Sequence, residues 1–236
     1  MGNPVNFEGN NPEGHPLPGN YLAIIYKGGM IVPLLIACIL ILLTFTFERA
    51  FTISRANGKG RTNVFVRNIQ TLITNDKIED AQVACDKQKG SLANVVKAGL
   101  GSYRNLQNDK IMDHNQKTAA LQKEIEEATA LELPMLSKNL VIISTIASIS
   151  VLIGLIGTVL GMIKAFAALA QAGAPDALAL ATGISEALIN TAFGISGSTV
   201  AIIVYNYFST TIDGLTYRID EAGFSLVQSF TASLKK

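Results

Sequence analysis

Glu186 is the only charged residue between Asp176 and Asp213, and its surroundings are apolar, small or hydroxylated. A carboxylate in so apolar a setting reads by default as part of an ion path; the plainer reading is a hydrated group at the edge of a span. Thr158 and Thr191 lie in the same kind of surroundings, with Ser144, Ser148, Asn190 and Ser198 as further polar groups. Threonine cannot exchange a proton at physiological pH, so these hydroxyls can hydrogen-bond an acid or hold water but cannot titrate. No nucleophile, base or metal constellation stands in either polar region, which argues against an enzyme. Cys38 and Cys85 fall in different parts of the chain and offer no disulfide or metal framework, and no cofactor is expected.

The elements that must position these groups are marked by charge. The 236 residues carry nineteen Lys and Arg against eighteen Asp and Glu, a balance that implies no nucleic-acid partner. Charged residues vanish over 28–47, 139–163 and 177–212, Glu186 excepted. A hydrocarbon core of roughly 30 Å needs about 20 helical residues, so each stretch is long enough to span a bilayer in contact with lipid. Helices satisfy their own backbone in lipid, and the alternation of a barrel strand is absent, so the fold class is an all-α integral membrane protein. Of the basic residues, fourteen lie in 48–138 and three after 208, with only Lys27 and Lys164 elsewhere. The positive-inside rule then puts the N-terminus outside and the C-terminus in the cytoplasm.

The expected organisation is a disordered outer tail over 1–20, a first transmembrane helix over 21–47, and a cytoplasmic helical region over 48–137. A second span over 138–164, a short outer loop over 165–176, a third span over 177–210 and an amphipathic cytoplasmic helix over 211–236 follow. After Gly58 and Gly60, apolar residues recur at Val64, Phe65, Ile69, Leu72 and Ile73, and again at Leu92, Val95, Val96, Gly99, Leu100 and Tyr103, both at helical spacing. From about Asn108 a third pattern runs toward the second span, predicting one continuous helix kinked at Pro134. These amphipathic faces are expected to bundle with each other or with further copies.

The first span is almost wholly large and apolar, as a lipid-facing helix would be. The other two are rich in small and hydroxylated residues: Gly154, Gly157 and Gly161 on one, Asn190, Gly194 and Ser198 on the other. Small residues allow close helix packing, and polar faces at membrane depth can line a pore; these residues fit either role. At about 1.5 Å per residue, Thr158 lies about 10 Å and Thr191 roughly 8 Å to the outer side of mid-membrane, so the two come out level. Glu186 lies further out, and five residues at about 100° each place it about 140° around the helix from Thr191, facing a different neighbour.

The stretches TIASISVLIGLIGTVLGMIKAF (145–166) and GISEALINTAFGIS (183–196), with FERAF after the first span, resemble the signature segments of the MotA/TolQ/ExbB proton-channel family. The three-span order is similar to the ExbB and TolQ branches, ExbB above all, rather than to the four-span flagellar stator subunits. The resemblance implies a homopentamer whose second and third spans surround a pore. A single-span partner of the ExbD or TolR type would occupy that pore and supply the aspartate that the chain lacks at mid-membrane. It further implies an inner-membrane location with a periplasmic N-terminus, proton flow driving motion passed to a TonB-like periplasm-spanning protein, and Thr158, Thr191 and Glu186 on the ion path. TolQ-like envelope maintenance, or a passive membrane scaffold, are the alternatives. Family members often carry Ala-Pro and Ile-Pro where this chain has Ser150-Val151 and Thr199-Val200, which predicts straighter helices here, and the extra hydroxyls at Ser196, Ser198 and Thr199 leave proton and sodium both open as the conducted ion.

Overall fold

The computed structural model describes residues 2–10, 16, 17, 19–170 and 176–234. Eight α-helices follow in order: α1 (Tyr21–Tyr26), α2 (Ile31–Ala56), α3 (Thr62–Thr74), α4 (Ile78–Gln88), α5 (Ser91–Asn108), α6 (His114–Ser137), α7 (Leu140–Leu169) and α8 (Ala177–Leu234). Among the described residues there is no strand, only an isolated bridge between Phe7 and Pro16. Among the described residues three stretches are long and apolar enough to cross a membrane: Ile31–Ala56, a window within His114–Leu169, and one within Ala177–Leu234. Contacts divide the chain into two units, one of residues 1–46 and 141–205, the other of 47–140 and 206–236.

In the first unit, α2 buries a single stripe, Val32, Leu35, Cys38 and Leu42, and leaves Leu34, Leu40, Ile41 and Leu43 exposed. The spacing of that stripe is the one a helix presents to one side. Residues 4–6 and 8–10 form 3-10 turns, and Phe7 is buried with its ring 5.8 Å from that of Tyr26. These turns stand where the sequence predicts a disordered tail over 1–20; residues 1, 11–15 and 18 of that tail lie outside the described residues. So do residues 171–175 of the expected outer loop. Both α7 and α8 run unbroken through Ser150-Val151 and Thr199-Val200, and α8 continues past 210 into the stretch with the amphipathic pattern as one helix.

In the second unit, the amphipathic helices bury their apolar faces against one another. Phe65, Ile69 and Ile73 of α3 are buried, as are Ile78, Ala81 and Cys85 of α4, a helix the apolar pattern does not predict. Val66, not Val64, is on the buried face of α3; Val64 is exposed. Leu92, Val95, Val96 and Leu100 of α5 are buried where α5 packs on α6, as are Leu121 and Ile125 of α6, and the end of α8 buries Ile212, Leu215, Ile219, Leu226 and Phe230. Gly99 is a required small residue here: a Cβ would lie 2.5 Å from Leu226 Cδ2 and 3.0 Å from Ile125 Cγ1. The Tyr103 hydroxyl bonds Ser233 Oγ at 3.0 Å, and its ring meets Phe230 edge-on at 4.7 Å. After α2, Gly58 turns at φ 74° with room for no Cβ, which would fall 2.2 Å from the Lys89 carbonyl.

The continuous helix expected from Asn108 into the second span is interrupted twice. Residues through Asn108 belong to α5, and α6 starts afresh behind a capping box in which Asp113 accepts from Gln116 N (2.7 Å) and Gln116 Oε1 from Asp113 N (3.1 Å). The second break falls at Lys138 and Asn139, where Asn139 adopts φ 65°, while Pro134 stays inside α6. A break leaves the last carbonyls of α6 without helical partners. Arg49, only 2% exposed, reaches them from α2: its Nη1 donates to Met135 O (3.4 Å) and Leu136 O (3.3 Å), while Nε donates to Glu48 Oε2 at 2.6 Å. Asn139 Nδ2 in turn donates to Glu48 Oε2 at 3.4 Å. The arginine of the FERAF segment thus caps the break, and asparagine tolerates the left-handed conformation that makes it.

Candidate ion-pathway site

All the residues singled out in the sequence for chemistry lie in the first unit, on α7 and α8. These helices approach so closely that backbone meets backbone. A Cβ on Gly154 would stand 3.0 Å from Gly194 Cα and 2.9 Å from Asn190 O; one on Gly161 would stand 2.7 Å from Gly183 O. A Cβ on Gly157 would meet the Asn190 side chain at 2.5 Å. Ser198 Oγ donates across the seam to Ala147 O at 2.5 Å. Gly154, Gly157, Gly161, Gly194 and Ser198 therefore all stand at the close approach of the two helices, where small residues serve when lipid supplies no hydrophobic drive.

Thr158 and Thr191 are brought together, their hydroxyls in direct hydrogen-bond contact across the seam. Each also reaches the carbonyl four residues back, Thr158 to Gly154 O at 3.1 Å and Thr191 to Ala187 O at 3.2 Å. Both are half-buried, so one side of the pair is open. Ser148 is exposed and donates to Ser144 O at 3.3 Å, and Ser144 is half-buried. Asn190, beside Thr191, is fully buried with neither amide atom hydrogen-bonded, and the buried Ser150 Oγ is likewise unpaired. Buried groups of this kind are ordinarily satisfied by water or a partner.

Glu186 is buried and paired. Both its oxygens accept from Lys164 Nζ, at 2.8 and 2.9 Å, and a Cβ on Gly29 would fall 2.0 Å from Oε1. The expectation that Glu186 and Thr191 face different neighbours does not hold, since both meet α7. Lys164 stands six residues beyond Thr158, so its direction has rotated around α7 much as that of Glu186 has around α8, and its long side chain closes the remaining gap. Lys164 and Gly29 are the site residues that the sequence reading missed; Lys164 served there only to mark the end of a span. A cleft of about 970 Å³ opens beside this pair, with Lys27, Asp176, Val32 and Leu178 also on its walls. The Lys27 ammonium lies 5.9 Å from the centre of the Phe7 ring.

Set beside known proteins, residues 87–221 match the MotA/TolQ/ExbB proton channel family. The chain is 31% identical over 124 residues to the Tol-Pal system protein TolQ of Pseudomonas aeruginosa, covering 52% of this chain and 54% of that one. It is 33% identical over 81 residues to the biopolymer transport protein ExbB of Pseudomonas putida, covering 34% of this chain and 25% of the relative. With ExbB of Neisseria gonorrhoeae it shares 26% identity over 171 residues, 71% of this chain and 76% of the other. The match to the Pseudomonas aeruginosa protein thus spans about half of that relative's length.

Proposed function

Because the chain belongs to the MotA/TolQ/ExbB proton channel family, we propose that it is an ExbB-like subunit of an ion-driven motor in the bacterial inner membrane. The observation that carries this reading is the contact of the Thr158 and Thr191 hydroxyls, half-buried and open on one side. A hydroxyl pair can hydrogen-bond a carboxyl group or hold the water that feeds it, but cannot itself titrate. The titrating acid then comes from another chain, a single-span protein of the ExbD or TolR type, inserted where α7 and α8 of several copies surround a pore. Five copies, a periplasmic N-terminus, and motion passed to a TonB-like protein complete the proposal, with Glu186 on the outer part of the ion path.

The test is nutrient uptake through a TonB-dependent receptor in cells carrying Thr158→Val or Thr191→Val with the partner co-expressed. Each loses the hydroxyl and keeps the shape, and uptake is expected to fall by about tenfold or more, since the affected hydrogen bonds act on a charge. Unimpaired uptake in both variants sinks the pore assignment. A TolQ-like role in envelope maintenance is supported by the similarity to the Pseudomonas aeruginosa protein; it predicts detergent sensitivity with normal uptake in the same strains. A passive scaffold predicts that the threonine and Glu186→Gln changes alter assembly alone.

A further inference from the structure

We infer that Lys164 is a specificity-determining residue of the outer site, a tethered cation that holds the place at Glu186 which a sodium ion would otherwise take. Its consequence for ion choice rests on the motor reading above, but the occupancy of the site does not.

The Glu186 side chain is 9% exposed, and a carboxylate so far out of water requires a cation or several donors. One ammonium meets both of its oxygens, at 2.8 and 2.9 Å. Gly29 packs so closely on the same carboxylate that a Cβ there would fall 2.0 Å from Oε1. The adjoining cleft is also lined by Asp176, Thr182 and Lys27; Asp176 Oδ1 accepts from Leu178 N and Ala179 N at 3.0 Å, which leaves its other oxygen and the Thr182 hydroxyl as further oxygen groups of the cleft. Hard cations choose such oxygen sets, and a lysine ammonium is a compact point charge of the same sign and valence as sodium. With Lys164 in place, a sodium ion has to displace it and strand its charge beside the site. A proton needs no coordination shell, so the tethered ammonium excludes sodium without excluding protons. The outer end of the path is thereby biased toward protons, through a residue that is not itself a proton donor to the threonine pair.

The test is equilibrium binding of radioactive sodium to the purified full chain in detergent, in buffer free of other alkali cations. Lys164→Gln is expected to acquire one saturable sodium site at least about tenfold tighter than any in the wild type, the neutral amide having removed the competing charge. Lys164→Arg keeps the charge and should match the wild type, and the double change Lys164→Gln with Glu186→Gln should lose the gain. A folded Lys164→Gln protein, helical by circular dichroism, that gains no site overturns the inference. Saturable sodium binding by the wild type that Glu186→Gln abolishes overturns it as well. If Lys164→Gln does not fold, that comparison of wild type and Glu186→Gln decides alone, absence of Glu186-dependent binding supporting the inference. Because binding is read rather than flux, loss of the motor reading leaves this result standing, and the reverse.

Discussion

Between residues 147 and 198 the close contacts of α7 with α8 are made mainly through small and polar residues, glycine, alanine, serine, threonine and Asn190, with the backbones of Gly154 and Gly194 touching and the Lys164–Glu186 pair at one end. In the second unit the same helix α8 is held through Leu226 and Phe230 against α5 and α6, with two glycines, Gly99 and Gly223, relieving the junction against large side chains rather than against backbone. The difference is the one expected where the second unit stands in water, as its charge pattern predicts, and the seam in lipid. In water, burying large apolar side chains is the main gain, about 25 cal/mol per Å². Lipid is as apolar as leucine, so the membrane seam is held by close approach and by hydrogen bonds between hydroxyls and carbonyls. One helix therefore changes its binding chemistry along its length, and polar groups tolerated in the seam are free to take on an ion-handling role.

The largest expected effect lies in the aqueous core. Phe230→Ala should destabilise the second unit by about 4 kcal/mol, read as loss of cooperative chemical unfolding, because a fully buried ring stacked edge-on to Tyr103 is removed. If it costs under about 1 kcal/mol, the contrast between the two regions fails. In the seam the reverse change is the damaging one: Gly154→Leu adds bulk against rigid backbone and should cost about 3 kcal/mol, seen as a lowered melting temperature in detergent. Tolerance there would mean that the helices are not held by close approach. Arg49→Met removes the donors to Met135 O and Leu136 O and leaves Glu48 with only the neutral donors Thr52 and Asn139, at about 2 kcal/mol. Trypsin should then cut after Lys138 about tenfold faster, since local opening governs such cleavage.

The smallest effect concerns Cys85, whose thiol is pushed up to about 12 by burial, with the neighbouring Asp86 adding to the rise. The folded state keeps it neutral, so its contribution to stability is complete below the ordinary thiol value of 9.0 and is lost as pH rises from there toward about 12. Maleimide labelling at pH 8 should accordingly be slow in the folded protein and fast in denaturant. Rapid labelling of the native protein would show that α4 is not part of the buried core.

The three apolar stretches were readable because charge is so costly in hydrocarbon that its absence marks them. The faces of α3, α5 and the end of α8 were readable because apolar side chains recur at helical spacing. What escaped depends on distant partners. The break at Asn139 is capped by Arg49, nearly ninety positions earlier, and Pro134 was the more conspicuous local signal. Helix α4 shows only a short apolar face, Ile78, Ala81 and Cys85, too brief to register as a period. In the candidate site, counting residues along two antiparallel helices was enough to bring Thr158 level with Thr191. Counting from the threonines did not find the Lys164 pair, because the last part of the gap is closed by the reach of a long, flexible side chain and not by helix position alone.

Position 29 illustrates how such a pairing restricts the paths open to mutation. Gly29 has φ 72°, and a side chain there would also strike Glu186 Oε1. The two constraints are independent. Shortening residue 186 clears the space but leaves the left-handed backbone, while relaxing the backbone leaves the carboxylate in the way. A lineage can therefore vary residue 186 and keep Gly29, but it cannot replace Gly29 first. Among descendants of this sequence, loss of the glycine should be found only where the glutamate has already gone.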